Sequence, residues 1–471
     1  MSEDSIEKFQ KQREELNQLD DLFSEVIKRA NRYRTELPSR RVSPAPDAVA
    51  GLKRLDVPLQ GHPIKPAAVL AELDDTGSDA TVASAGNRYF GFVTGGALPA
   101  TMAANILAAV WDQNAVLETA SPVASFIEAV CRKWLLSVLG LPSQTAMGIA
   151  TGATMANFTG LAAARHALLE QQGWDVESRG LFGAPAIEVI VGEEVHVSLL
   201  KALSMLGLGR DRVVRVPVDG QGRMRPESIP PIAGPTIICI QAGNVNTGAF
   251  DPAQEICLKA KESGAWVHVD GAFGLWAAAT PQKSSLAKGV ENADSWATDA
   301  HKWLNVPYDS GLVFVREARH LLAAMSSHAA YLIEGGKREP SHYVPEMSRR
   351  ARGVEIWAAL RSLGRTGLSD LIERCCGFAA RFAEGLQNEG IHVLNDVVLN
   401  QVLVKFGDEK KTRRVIRRIQ ADGTCWCGET KWQGHVAMRI SVSSWATTAE
   451  DVEKSLAAIL RIAARKAKGE K

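Results

Sequence analysis

Two short stretches bring together most of the residues able to do chemistry. AWVHVDGAFG, Ala265 to Gly274, ends a β-branched run at Asp270 and continues with Gly271 and Ala272, small residues that let a flat ligand approach the backbone. DSWATDAHKW, Asp294 to Trp303, sets His301 and Lys302 just ahead of another apolar run, GLVFV at 311–315. Ligands bind at strand ends in open α/β sheets, so a carboxylate and an ammonium group at two such ends are expected to face one pocket. A third stretch, IATGATMANFTGLAAAR from Ile149 to Arg165, is a Gly- and Thr-containing turn opening an Ala- and Leu-rich helix, whose free N–H groups make a phosphate cradle. GEEVHVSLLKAL places His196 just past a further strand. Each piece has a plainer reading: Thr and Gly cap many helices, a strand-end Asp can cap a turn, a lone His commonly packs or caps, and an HK pair can sit in a surface turn.

The elements that must position these groups follow from periodicity. IEVIVG at 187–192, TIICIQ at 236–241, AWVHVD at 265–270 and GLVFV at 311–315 alternate with helical stretches, the pattern of strands buried on both faces of a largely parallel sheet. This predicts a large α/β domain over 87–367. Leu371, Ala379, Phe382 and Leu386 mark a long helix leading into HVLNDVVLNQVLVKF and VAMRISVSSWATTAEDVEKSLAAIL, a smaller α+β domain over 368–471. Residues 1–86 form a helical arm in which Leu16, Leu19, Phe23, Val26, Ile27 and Ala30 recur at three- and four-residue spacing, an apolar stripe that needs a partner surface.

Composition narrows the partners. The 54 Lys and Arg against 53 Asp and Glu leave a formal charge of +1, which supplies no field for nucleic acid or an anionic membrane and favours small-molecule chemistry. The seven cysteines are scattered, and no charged start precedes an apolar signal core, so a reducing cytoplasm is expected. The longest apolar run, ALPATMAANILAAVW from Ala97, is shorter than the roughly 20 residues that span a bilayer. Cys425 and Cys427 lack a second pair for zinc. The basic run KKTRRVIRR at 410–418 reads as an exposed helix face, and Arg439 in MRISVS is expected in a structural ion pair, with a substrate carboxylate as the other partner open to it.

Taken in order, HVDGA and ADSWATDAHKWL resemble the group II pyridoxal-phosphate-dependent decarboxylases, the family that includes aromatic-L-amino-acid and glutamate decarboxylases. The resemblance runs from about Asn87 through the small domain. It implies fold type I, the aspartate aminotransferase-like architecture, with pyridoxal 5'-phosphate as coenzyme and a homodimer whose active sites lie at the subunit interface. Lys302 is then the amine that forms an imine with the coenzyme aldehyde, and burial makes such an amine nucleophilic near neutral pH. Asp270 pairs with the pyridine nitrogen and keeps it protonated. Ala272 lies under the ring and His196 above it. Ala153 and Thr154 match the phosphate turn, Ser295 falls at another phosphate-side position, and His301 precedes the lysine. Two departures stand out. Better-known members have Asn-Pro before HK where this chain has Asp299-Ala300, which either alters phosphate protonation or points Asp299 elsewhere. Gly243-Asn244-Val245 replaces a common GTT, leaving Asn244 or Thr247 to substitute for a threonine hydroxyl.

The resemblance implies an L-amino-acid α-decarboxylase yielding an amine and carbon dioxide, with a Cα acid, commonly tyrosine, on a loop that closes over the neighbouring subunit's site. The candidate loop is Tyr331 to Gly353 and the candidate acid Tyr343, with His342 also open, because SRRARG laid on the family's basic motif puts the acid nearer Pro340. RYFGFVTGGALP, Arg88 to Pro99, resembles the substrate-pocket segment. It makes Phe92 and Thr94 candidates for substrate contact, and room at Gly95 and Gly96 favours an aromatic or apolar amino acid. The alternatives are an aldehyde synthase that decarboxylates and oxidatively deaminates, or a coenzyme-binding paralogue acting as a partner protein.

Overall fold

The computed structural model describes Ser5, residues 19–326 and residues 338–465; Leu16 and the stretch 331–337 of the candidate loop lie outside the described residues. Seven strands form one sheet: β1 (Ala146–Ala150), β2 (Glu188–Gly192), β3 (Val214–Val216), β4 (Thr236–Gln241), β5 (Trp266–Asp270), β6 (Ser295–Asp299) and β7 (Gly311–Val315). Their order is β1-β7-β6-β5-β4-β2-β3, with β7 antiparallel to both neighbours and the remaining pairs parallel. Every residue of β1, β5, β6 and β7 is buried, as a sheet covered on both faces requires.

The strand β6 carries Ser295, Thr298 and Asp299, a polar composition that does not announce a strand. It is buried because its polar atoms are satisfied inside: Trp296 Nε1 donates to Val290 O at 2.8 Å, and Ser295 Oγ accepts from Trp266 Nε1 at 2.8 Å. The helices of eight or more residues are α1 (Leu19–Glu36), α2 (Pro66–Gly77), α3 (Pro99–Trp111), α4 (Pro122–Val138), α5 (Ala153–Glu170), α6 (Val197–Met205), α7 (Ala253–Ser263), α8 (Ala318–Met325), α9 (Gly353–Asn388), α10 (Glu409–Asp422) and α11 (Ala449–Ala463). None of the described helices is long and apolar enough to cross a membrane.

A second sheet, order β10-β11-β9-β8, contains β8 (His392–Val393), β9 (Gln401–Lys405), β10 (Gly428–Trp432) and β11 (His435–Ser441), all antiparallel. The helix α9 runs through the boundary expected at residue 367, breaking instead at Gly364, where φ is 62°. On α10 the basic residues stay outside while Val415, Ile416 and Ile419 turn into the core. Arg29 and Arg32 fasten α1 to Asp74 of α2 at 2.8 and 2.7 Å, yet Leu19, Phe23 and Ile27 remain 49%, 39% and 42% exposed. Among the described residues, the stripe on the arm is therefore left exposed.

Candidate active site

Strand register gathers the chemistry at one edge of the large sheet. Gln241 pairs with Asp270, Asp270 with Ala297, and Gly311 with both Asp299 and Ala150, so β4, β5, β6 and β1 finish side by side. A cavity opens there, and His196, Asp270, Ala272 and Lys302 line it together with Val245 and Phe273. Asp270 is 5% exposed and its Oδ1 accepts from the Ala272 N–H at 3.3 Å. Lys302 sits in the one-turn helix Ala300–Trp303, with Nζ 2.9 Å from Asp299 Oδ2. His196 caps α6: its Nδ1 accepts from the Ser198 N–H at 3.3 Å, which leaves the proton on Nε2. Burial holds its pKa below the ordinary imidazole value, so the ring facing the cavity is neutral near pH 7.

The phosphate turn is built by close backbone packing. Gly311 lies so near Gly152 that an alanine at 311 would collide with the Gly152 backbone, and this contact locks the turn onto the start of β7. At the amino end of α5 the Ala153 N–H donates to Asp299 Oδ1 at 2.6 Å, with Thr154 in the first turn beside it. Asp299 thus points into the cradle, its carboxylate shared between a helix N-terminus and Lys302. His301 Nδ1 accepts from the Ser310 N–H at 3.1 Å, while its Nε2 lies 3.6 Å from Asp299 Oδ2. The Tyr308 ring lies 4.4 Å from the His301 ring, and its hydroxyl is 3.3 Å from Thr94 Oγ1. Tyr308 was not singled out in the sequence; the only cue is its place six residues after Lys302, in the polar turn YDSG.

Other candidates stand elsewhere. Ser295 begins β6, at the far end of that strand from Asp299, and does not reach the cradle. His268 sits beside it, driven down to about pH 3 by burial, with Nε2 2.9 Å from Asn157 Oδ1 and Nδ1 2.8 Å from Ser295 Oγ. A neutral imidazole donating to Asn157 must accept from Ser295, so the one hydrogen of that hydroxyl is committed. Asn244 organises its own loop: Oδ1 accepts from the Asn246 and Thr247 N–H groups, and Nδ2 donates to Gln241 Oε1 at 2.9 Å. The Thr247 hydroxyl donates to Gln221 O, and it is Gly243 and Val245 of this loop that line the cavity. Phe92 is 63% exposed against Trp426, with ring centroids 5.4 Å apart, and walls the outside. Tyr343 is in a 3₁₀ turn over Pro340–Tyr343, under the Arg338 guanidinium at 3.8 Å, and does not line this cavity. Arg439 has no acidic partner among the described residues. It donates to Val245 O at 3.2 Å and Asn246 Oδ1 at 3.4 Å, and burial lowers its pKa to about 10.

These groups suit pyridoxal phosphate. An amine and a buried carboxylate share one cavity, an 18-residue helix opens beside them, and Ser310 Oγ, buried without a hydrogen bond, adjoins Gly311 in the cradle. The comparisons agree. The chain matches the pyridoxal-dependent decarboxylase conserved domain over residues 55–406. It is 27% identical over 322 residues to the mouse (Mus musculus) acidic amino acid decarboxylase GADL1, covering 65% of this chain and 58% of that protein. To the aromatic-L-amino-acid decarboxylase of Bacillus atrophaeus it is 26% identical over 299 residues, covering 61% and 60%. The matched stretches thus span about three-fifths of the length of these relatives. The crystal structure of Oryza sativa TDC with PLP and tryptamine superposes with a TM-score of 0.86 at 20% identity, covering 95% of this chain and 98% of that one, so the fold is that of fold type I. With the family's domain matched across most of its length, the chain belongs to the pyridoxal-dependent decarboxylases.

Proposed function

We propose that the chain is an L-amino-acid α-decarboxylase releasing an amine and carbon dioxide. The observation that carries this reading is the placement of Lys302 and Asp270 on one cavity at the sheet edge where α5 begins. When bound, pyridoxal phosphate supplies an electron-accepting ring. Lys302 would hold the coenzyme through its aldehyde, and Asp270 would pair with the pyridine nitrogen. The neutral His196 and the Ala272 methyl, both lining the cavity, would contact the ring. Ala153 and Thr154 offer donors to the phosphate. Val245 and Phe273 exclude water, which favours loss of charge from a substrate carboxylate.

For substrate class, an aromatic or apolar amino acid is the leading assignment, supported by Phe273 and Val245 in the cavity wall. A specific observation favours a second, acidic class: the half-buried Arg439 guanidinium beside Val245 has no carboxylate partner among the described residues. A mass-spectrometric screen of the common amino acids with the coenzyme-loaded enzyme tests both. Amine from tyrosine, tryptophan or phenylalanine supports the first, amine from aspartate or glutamate the second, and absence of any amine refutes decarboxylation. Peroxide and ammonia appearing in step with substrate loss would identify an aldehyde synthase instead.

A homodimer is part of the proposal. The uncovered stripe on α1 and the position of Tyr343 away from its own chain's cavity both call for a second copy. Sedimentation equilibrium is expected to give twice the chain mass of 50.8 kDa, and a monomer would remove this support.

A further inference from the structure

At the opposite end of α5 from the cradle, three metal-binding side chains converge. His166 and Glu170 lie one turn apart on α5, and α8 brings His320 against them; one donor atom from each lies within 4.8 Å of the others. His166 Nε2 is 3.9 Å from Glu170 Oε1, and His320 Nδ1 is 3.7 Å from Glu170 Oε2. Spacing of this kind is common among surface groups, and a second observation distinguishes the cluster. His320 is 3% exposed, and its Nδ1, directed at Glu170, makes no hydrogen bond. The Trp266 ring meets it edge-on at 5.7 Å, an apolar wall that offers the nitrogen nothing.

The outer partner of His166 is also that of a ligated imidazole. His166 Nδ1 is 2.7 Å from Glu177 Oε2, so its proton points to that carboxylate and the Nε2 lone pair faces Glu170. Glu317 Oε2 lies 3.7 Å from His320 Nε2, a nearby carboxylate beyond hydrogen-bond reach that is itself bonded to Arg319 Nε at 2.9 Å. Carboxylates behind ligating histidines fix the tautomer and raise basicity at the metal.

We propose that His166 Nε2, the Glu170 carboxylate and His320 Nδ1 form a binding site for a divalent cation of borderline softness, Zn²⁺ in type, that pins α5 to α8. Two imidazoles and one carboxylate select such an ion over Mg²⁺ or Ca²⁺, which prefer all-oxygen shells. Bonds of about 2.0–2.2 Å would set donors roughly 3.4 Å apart, so side-chain rotation alone closes the cluster. Arg319 Nη1, 3.3 Å from Glu170 Oε2, must let go, and its 59% exposed side chain keeps its Nε bond to Glu317 Oε2 at 2.9 Å. From Ala153 to His166 the helix rises roughly 20 Å, which separates this site from the candidate active site.

The test is calorimetric titration of ZnCl₂ into the coenzyme-loaded enzyme, after removal of any affinity tag and of adventitious metal by a chelator. One ion per chain is expected, with affinity falling at least about 10-fold in both Glu170→Gln and His166→Gln. Both substitutions are isosteric or nearly so and lie outside the catalytic cavity, so the coenzyme absorbance should be unchanged. Cobalt(II) added in place of zinc should give a visible d–d band that Glu170→Gln weakens. No saturable binding in the wild type, or wild-type affinity in both variants, overturns the proposal.

Discussion

Lys302→Ala is expected to lower the proposed amine formation by on the order of 10⁴-fold or more, the scale on which removal of a covalent-catalysis group acts. Among the described residues lining the cavity, Lys302 alone carries an amine, so no neighbour can take over attachment of the aldehyde. Borohydride followed by peptide mapping should fix a pyridoxyl mass on the wild-type peptide containing residue 302 and on nothing in the variant. The substitution also has a structural cost. Asp299, 2% exposed, loses a cation at 2.9 Å and keeps only the Ala153 N–H and a distant His301. A loss of about 1–3 kcal/mol in unfolding free energy is expected for the uncompensated charge, less than for a fully buried pair because the Lys302 side chain is 18% exposed. Turnover that persists near the wild-type rate, or a reduced adduct on another lysine, would sink the assignment.

Asp299→Asn should tighten coenzyme binding. In the present geometry one carboxylate takes the Ala153 N–H at 2.6 Å and pairs with Lys302 at 2.9 Å. An incoming phosphate needs the first donor, and the aldehyde needs the lysine freed from its ammonium–carboxylate pair. Two like charges about 4 Å apart repel by about 4 kcal/mol at an effective dielectric of 20, and most of that is relieved by rotation or by water. A residual 1–2 kcal/mol corresponds to about a 10-fold change in affinity. The asparagine keeps an acceptor for the helix N–H while removing the charge, so fluorescence titration of the coenzyme-free protein should give a dissociation constant roughly 10-fold lower. Inorganic phosphate should compete for the cradle more effectively in the variant as well. Weaker binding in Asp299→Asn would show that the carboxylate helps to hold the coenzyme and that the wild-type pair is not an obstacle.

The sequence showed the site more clearly than the scaffold beneath it. HVDGA and DAHKW are local, and each follows a strand whose β-branched residues announce it; register then places Asp270 beside Ala297 and Asp299. What stayed hidden depends on contacts distant in sequence. SWATD gives little sign of a strand because its burial rests on Trp266 and Val290 accommodating its polar atoms. Ser295 falls at a phosphate-side position by family resemblance, but no spacing rule reveals that Trp266 and His268 already bond its hydroxyl. Arg439 reads as an ion pair until the fold shows it donating to the backbone of Val245, 194 residues away in the chain.

The antiparallel β7 has a mechanical consequence. Asp299 and Gly311 face each other across the β6–β7 ladder, so the segment bearing Lys302 is a loop whose two ends are stitched together at the base. Asn305 adds a clasp from above, donating to the carbonyls of Lys302 and Ser443 and accepting from the Trp445 N–H. A rocking motion of the carboxyl-terminal portion would therefore tug on the crown of this loop while its foot stayed anchored next to Asp270. The carboxylate stays with the sheet while the amine rides on the loop, so such a motion would bear on Lys302 and leave Asp270 in place.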